Sequence, residues 1–140
     1  MNVPTHIVLH TLAFDGEANI DRVRRWHLDR GWKDVGYHWL IRRNGSLEQG
    51  RTEDEEGAHA VNYNSRSVGI AFEGHGDHEM WTLPQVLTAV KLCDRISNQY
   101  GIPPHNILGH RETGAPKTCP GTKIDMDAFR ALFFNCISED

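Results

Sequence analysis

One short loop carries the side chains of this chain that are best suited to chemistry. The loop spans residues 109–121, and it brings His110, Lys117 and Cys119 close together in the sequence. Imidazole nitrogen and thiolate sulfur are ligands that Zn²⁺ prefers. Far upstream, His10 ends an apolar run and offers a third ligand from the end of a strand. Two histidines and one cysteine leave the fourth tetrahedral position free, as in a catalytic zinc site.

Each of these residues also has a simpler explanation when it is taken alone. A histidine at the end of an apolar strand is more often a hydrogen-bonded core residue, and a single cysteine is usually a small buried apolar residue. The loop favours the functional interpretation, because its glycines and prolines indicate an ordered turn, where polar residues are more often functional than packed. From the residues alone, a metal site and a structural role remain equally open.

Length and composition restrict the class of protein. With 140 residues and a net charge of −4, the chain can form one core and lacks the basic surface that nucleic-acid binding requires. Three cysteines suit a reducing compartment better than a disulfide framework. The first residues form no secretory signal, and no apolar run could span a bilayer. We therefore expect one cytoplasmic domain over residues 1–140, with its core from about 5 to 135 and no membrane partner.

Strands and helices alternate along the chain in the predicted secondary structure. Apolar runs predict strands at 5–10, 37–43, 46–51, 67–73 and 107–108. Helical spacing predicts helices at 19–30, 82–101 and 125–135, the second of which begins with a capping box of Thr82 and Gln85. Asn44-Gly45 predicts a two-residue type I′ hairpin turn. Together these elements predict an α/β fold with a central mixed sheet covered by helices.

The last two helices each show an apolar face that we expect to pack on the core. In the helix at 82–101 these positions are Leu83, Val86, Leu87, Val90 and Cys93. In the helix at 125–135 they are Met126, Phe129, Leu132 and Phe133. Cys93 is therefore expected in the core, and Cys136 is expected to have no role.

Five sequence blocks occur in an order that resembles a known family. They are His10 at a strand end, Gly36–Trp39, Gly57–Ala60, Ser67–Ile70 and the loop from His110 to Cys119. This order resembles the zinc amidases of the phage T7 lysozyme type, which are N-acetylmuramoyl-L-alanine amidases related in fold to the peptidoglycan recognition proteins. The resemblance runs from about Thr5 to Phe133, and the blocks are specific in combination.

The resemblance implies a role for five residues. It places one Zn²⁺ per chain on His10, His110 and Cys119, and it makes Tyr37 and Lys117 the catalytic residues. In such a site the metal activates a water molecule and polarises the amide carbonyl. The lysine would stabilise the oxyanion, and the tyrosine would help to move a proton to the departing amine.

This chain departs from the family pattern at three points. The segment after His10 is not the small polar run that relatives often have, which affects one wall of the groove. Gly114 resembles a one-residue insertion between His110 and Lys117. Some bacterial relatives carry a glutamate on the strand that ends here at Glu73, to which we assign no catalytic role.

Other polar residues of the chain have more than one interpretation. His59 could line the groove or be a solvated loop residue, and the two are equally open. His38 follows Tyr37 directly, so on a strand its side chain would point to the opposite face and would be a poor ligand. The pair His75 and His78 is more simply a solvated loop than a second metal site. The acidic run at 53–56 is most simply a solvated turn, or else it borders the groove.

Three functions are compatible with these residues and with the resemblance. The first is an endolysin that cleaves peptidoglycan, made in the cytoplasm of an infected bacterium, acting as a monomer on the wall after release. The second is a non-catalytic peptidoglycan-binding module, but such modules typically lack the cysteine ligand that Cys119 provides. The third is an intracellular amidase that recycles soluble muropeptides. T7 lysozyme also binds its phage's RNA polymerase, and only this analogy suggests such a partner here.

Overall fold

The computed structural model describes residues 1–138 and forms one α/β domain. Its strands are β1 (His6–Thr11), β2 (Trp39–Ile41), β3 (Leu47–Gln49), β4 (Ser67–Phe72) and β5 (Ile107–Gly109). Its helices are α1 (Ile20–Asp29), α2 (Leu83–Tyr100) and α3 (Met126–Ser138), and short 3₁₀ turns span Pro104–Asn106 and His110–Thr113. The strand order is β3-β2-β4-β1-β5, with only β3 antiparallel to its neighbour among these strands. The predicted mixed sheet is confirmed.

The two central strands explain why His10 and the His110 loop meet. β4 and the last five residues of β1 are buried, as expected for parallel strands covered on both faces. β1 pairs in parallel with β4 on one side and β5 on the other, and Leu9 lies opposite Gly109. Since parallel strands end at the same edge of a sheet, His10 at the end of β1 lies beside His110, which directly follows β5.

Helices cover the two faces of the sheet. On one face, α2 and α3 contribute Ala89, Cys93, Ile96, Phe129 and Phe133 to the main apolar cluster. On the other face, Val23 and Trp26 of α1 belong to a smaller cluster. Cys93 is in the core as predicted, whereas Cys136 is exposed. No helix in the described part of the chain is both long and apolar enough to cross a membrane.

The helix ends follow the signals in the sequence. The side chain of Asn19 caps α1 by accepting a hydrogen bond from the backbone of Arg22. The capping box predicted for Thr82 and Gln85 is present at the start of α2, and Gly101 ends that helix in the left-handed conformation. These boundaries agree with the predicted ones within about two residues.

The turn between β2 and β3 differs from the predicted type I′ turn. Only Gly45 of the Asn44-Gly45 pair has a positive φ, of 89°. The Gly45 N–H donates to the Arg42 carbonyl, and the Arg42 N–H donates to the Ser46 carbonyl, both over 2.8 Å. The connection is therefore a three-residue hairpin loop with glycine at the bulge. The Asn44 side chain accepts from the Ser46 N–H, which stabilises this alternative.

The apolar faces predicted for α2 and α3 were partly wrong. Leu83 and Leu87 are 70% and 55% exposed, and Leu132 of α3 is 43% exposed. The buried positions of α2 include Gln85, whose side-chain amide donates to the carbonyls of Ile41 and Glu73. Gln85 therefore occupies a buried position of α2 that hydrophobicity alone does not predict, and its amide satisfies two backbone carbonyls beside the sheet.

Glu73, directly after β4, is a buried junction between three segments. Its carboxylate accepts from the backbone N–H of Ala18 over 2.7 Å and of Arg43 over 2.8 Å. Arg42 Nε lies 3.0 Å from Glu73 Oε1. Burial by itself would raise the pKa of Glu73, but these contacts outweigh it and hold that pKa below the ordinary value. The glutamate therefore has structural partners in three segments of the chain.

Replacing Glu73 by glutamine is expected to lower the free energy of unfolding by about 2 kcal/mol at neutral pH, because charge-assisted hydrogen bonds are lost inside the protein. Since the folded-state pKa is depressed, this contribution is present above the ordinary value of 4.5 and is lost as the pH falls through the folded-state pKa. Denaturant titrations of both proteins at several pH values measure the difference. Glu79→Gln, at an exposed ion pair with Arg43, is the control and should change little. An equal loss in both variants would contradict this role.

Candidate active site

The three predicted metal ligands converge at the edge of the sheet. One ligand atom each from His10, His110 and Cys119 lies within 4.8 Å of the other two. His10 and His110 are buried, and Cys119 is half-buried. The Cys119 Sγ lies 3.8 Å from His10 Nδ1. Adjacent sulfur and nitrogen ligands on a tetrahedral zinc ion would be about 3.6 Å apart, so the pair needs only a small adjustment to share a metal.

The cysteine loop is held in place by a dense set of hydrogen bonds. The backbone N–H of Thr11 donates to Cys119 Sγ over 3.3 Å, and that of Arg111 donates to the Cys119 carbonyl over 2.7 Å. The Arg111 guanidinium donates to the carbonyls of Thr118 and Gly121. These contacts fix the loop that carries the sulfur, and of these donors only the Thr11 N–H contacts Sγ itself.

The protonation states of the three residues suit a metal site. Burial, followed by the charge of neighbouring groups, holds the pKa of His10 and of His110 below the ordinary value, so both imidazoles are neutral and offer lone pairs. Burial raises the pKa of the Cys119 thiol to about 11, so a cation must displace its proton. Two neutral imidazoles and one thiolate form a donor set that Zn²⁺ prefers. Within residues 1–138, this is the one group of three or more such side chains with suitable spacing.

Tyr37 lies beside the predicted metal ligands. It belongs to the segment directly before β2 and not to the strand that was predicted for it. Its ring centroid is 5.1 Å from that of His10 and 5.5 Å from that of His27. Removal from water, and then the nearby Cys119, raise the pKa of the phenol well above its ordinary value. Tyr37 therefore keeps its proton at neutral pH and is available as a hydrogen-bond donor.

Lys117 brings the positive charge that the sequence predicted. The side chain is exposed on the cysteine loop, and its charge contributes to the lowered pKa of both His10 and His110. Among the described residues, no carboxylate lies within ion-pair distance of the Lys117 ammonium group. The charge is therefore available to a bound anion.

A cleft of about 470 Å³ contains all five residues, and a second groove of about 600 Å³ continues from it. The two share Trp32, His59, His110 and Lys117 along their walls. Asp77 is the single acid among the described residues that line them. Its carboxylate accepts from Thr118 Oγ1 and from the Thr122 N–H, so it braces the loop.

The other histidines have distinct environments. His59 is only 8% exposed, and its Nδ1 lies 2.9 Å from His10 Nε2, so it is not a solvated loop residue. His38 is not a ligand, because its Nδ1 accepts from the Gly69 N–H and its Nε2 contacts the Glu55 carbonyl. His75 and His78 stack at 3.9 Å, but they belong to no metal-ligating group in the described part of the chain.

The acidic run at 53–56 is only partly the solvated turn that the sequence suggested. The Glu53 side chain is 10% exposed and accepts hydrogen bonds from Trp39, Arg95 and Tyr100. It therefore fixes this loop to the sheet and to α2. Asp54, Glu55 and Glu56 are exposed, as expected.

The sequence did not show that His59 contacts His10. The block Gly57–Ala60 was part of the family resemblance, but nothing in its spacing showed that its histidine is buried against a predicted metal ligand. The contact depends on a long polar loop that returns to β4 next to β1. His27 on α1 and Arg30 at its C-cap also line the cleft, and the sequence analysis missed them because the amphipathic pattern of this segment indicates only a helix that packs on the core.

A protein family and several individual proteins match this sequence over most of its length. The family model described as N-acetylmuramoyl-L-alanine amidase matches residues 1–122. The endolysin of Enterobacteria phage K11 is 39% identical over 113 residues, which cover 74% of this chain and 73% of the endolysin. The endolysin of Escherichia phage T7 is 34% identical over 81% of this chain and 78% of its own length.

The chain belongs to the N-acetylmuramoyl-L-alanine amidase family.

Solved structures support the same assignment for the fold. The amidase LysC from Clostridium intestinale URNW superposes with a TM-score of 0.89 at 29% identity, over 95% of this chain and 87% of LysC. Wild-type Drosophila PGRP-LB gives a TM-score of 0.78 at 27% identity, over 88% of this chain and 78% of PGRP-LB.

Family membership confirms the predicted class of function. The chain is an endolysin-like amidase that acts on peptidoglycan. The described residues include a His-His-Cys cluster that could hold a metal. The identity of that metal and the roles of the individual site residues stay predictions.

Proposed function

We propose that the chain is a zinc amidase that hydrolyses the amide between the lactyl group of N-acetylmuramic acid and L-alanine. The observation that carries this proposal is the convergence of His10, His110 and Cys119 with Tyr37 and Lys117 on one cleft. His10, His110 and Cys119 would hold the metal. All five side chains come from one chain, so a monomer contains the whole site.

Each group has a separate task in this proposal. Bound zinc would supply Lewis-acid activation of water and of the substrate carbonyl. The Lys117 ammonium, without an acidic partner among the described residues, stabilises the negative charge that develops on the carbonyl oxygen. The phenol of Tyr37 holds its proton and donates a hydrogen bond at the reacting centre, on the side of the cleft where it packs against His10.

The walls of the cleft favour hydrolysis of an amide over cleavage of the glycan. A glycosidase requires a pair of carboxylates that flank the scissile bond. Asp77 is the single acid on the described walls, and both of its oxygens already accept hydrogen bonds from Thr118 and Thr122. The site therefore offers metal ligands and a cation rather than an acid pair.

The open groove also favours wall polymer over small fragments. It continues from the proposed metal ligands past Trp32, Asn62 and Asn64. This length suits a substrate that extends well beyond the two groups joined by the scissile bond. We propose that the enzyme is made in the cytoplasm of the infected bacterium and acts on the wall after release. The alternative, a recycling amidase, would act on soluble muropeptides.

Digestion of purified peptidoglycan is expected to release new L-alanine amino termini without new reducing sugar ends. The physical reason is that the proposed target is the lactyl amide and not a glycosidic bond. Labelling of amino termini and a reducing-sugar assay on the same digest measure the two products. New reducing ends without new L-alanine termini would contradict the proposed function.

The same enzyme preparation can separate wall lysis from recycling. We expect intact sacculi to be cleared at a rate comparable to the cleavage of soluble muropeptides. Rapid cleavage of the soluble fragments with unchanged turbidity of the sacculi would favour the recycling amidase instead.

A further inference from the structure

A chain of buried hydrogen bonds begins behind the first metal ligand. The Nδ1 of His10 faces the cysteine, 3.8 Å from Cys119 Sγ. Its other ring nitrogen, Nε2, lies 2.9 Å from Nδ1 of His59. His59 Nε2 in turn lies 3.2 Å from Ser67 Oγ, which lies 2.6 Å from the Tyr63 carbonyl. The four contacts join the cysteine side of the site to the backbone before β4.

The Tyr63 carbonyl, at the end of this series of hydrogen bonds, determines which group donates and which accepts in each of them. A carbonyl can only accept, so the single hydroxyl proton of Ser67 is donated to Tyr63. Ser67 Oγ then accepts from His59, which places the His59 proton on Nε2 and leaves a lone pair on Nδ1. That lone pair accepts from His10 Nε2–H. The remaining lone pair of His10 is therefore on Nδ1, the nitrogen that faces Cys119.

The imidazole of His59 packs closely against two glycines. A Cβ at Gly57 would lie 2.4 Å from His59 Cδ2, and a Cβ at Gly69 would lie 2.6 Å from the same atom. Neither glycine has a left-handed φ, so the space for the ring, and not the backbone, requires glycine there. The third neighbour, His38, has its ring centroid 5.7 Å away, and both of its nitrogens contact backbone groups.

We propose that His59 and Ser67 are positioning residues that hold His10 in the tautomer able to bind a metal through Nδ1. This inference rests on the proposed zinc site. A ligating histidine whose second nitrogen donates to a fixed acceptor is oriented and made more basic, and loss of such a partner costs about 10–100-fold in metal affinity. Here the partner is a neutral histidine, itself fixed by a serine and a backbone carbonyl.

The test is zinc affinity, measured for the whole chain by competition with a chromophoric chelator. His59→Ala is expected to bind zinc about 10–100-fold more weakly than the parent. His59→Asn should recover part of the loss, because its Oδ1 can accept from His10 at the position of the imidazole Nδ1. His105→Ala, at an exposed histidine, is the control and should bind as the parent does.

A second variant displaces the ring of His59 and keeps its chemistry. Gly69→Ala places a methyl group against the imidazole, so zinc affinity should fall although no polar group is lost. Nitrogen-15 spectra of the zinc-loaded parent give an independent result, since His59 should be protonated on Nε2 and not on Nδ1. This measurement needs no variant that could fail to fold.

The outcomes distinguish this inference from the proposed function. A parent that binds no zinc contradicts the proposed metal site itself. A parent that binds zinc, together with a folded His59→Ala that binds it equally well, overturns the role of His59 alone. The reversed tautomer of His59 in the parent spectra, or no recovery in His59→Asn, also overturns it.

Discussion

Replacement of Cys119 by serine is expected to lower zinc affinity by on the order of 10²–10⁴-fold and to abolish amidase activity at ordinary metal concentrations. A neutral hydroxyl is a much poorer ligand for zinc than a thiolate. Zinc binding in small structural sites is worth about 10–16 kcal/mol, so the loss of one of three protein ligands corresponds to about 3–5 kcal/mol. Zinc content after dialysis and chelator competition measure the effect directly.

Cys136→Ser is the matched control, because it makes the same chemical change at an exposed cysteine of α3. It should keep both zinc and activity. The core cysteine Cys93 is a poor control, since a hydroxyl there would be buried among apolar side chains. Full zinc retention in Cys119→Ser would assign the third ligand to another residue.

The architecture was predictable because its signals are local. Alternating apolar runs and helical spacing predicted every strand and helix of the described chain, and short polar signals such as Asn19 and the Thr82–Gln85 box predicted helix ends. The hairpin turn was predicted wrongly, because Asn44 uses its side chain to stabilise a loop of another length. The face of α2 was predicted only in part, because Gln85 is buried and satisfies two distant carbonyls, which hydrophobicity cannot show.

The functional site also has a part that the sequence predicts and a part that it does not. The pairing of β1 with β5 brings His10 to His110, and chain order together with the family resemblance could predict that. The roles of Glu53 and Glu73 depend on partners far away in the sequence, such as Arg95 and Ala18. The sequence therefore suggested a solvated turn for the acidic run and gave no role for Glu73. The contact between His59 and His10 joins the loop before β4 to the end of β1, and no local signal in the sequence indicates it.

Replacement of Lys117 by alanine is expected to lower kcat by about a hundredfold or more while zinc affinity stays near that of the parent. The reason is that the ammonium group faces the cleft without an acidic partner in the described structure and acts on charge that develops only during the reaction. Kinetics on a defined muropeptide, with zinc content measured on the same samples, separate the two effects.

Lys123→Ala tests whether the position of the charge, and not the charge alone, produces this effect. Lys123 is an exposed lysine shortly after the cysteine loop, and it lines a different groove, with Trp81 and Phe129. Its loss should leave kcat within about twofold of the parent, since exposed charges outside the cleft are screened by water and salt. If Lys117→Ala lost zinc in proportion to activity, the lysine would support the metal site rather than the transition state. If both lysine variants slowed turnover equally, the charge would attract the substrate from a distance, and the oxyanion role of Lys117 would be wrong.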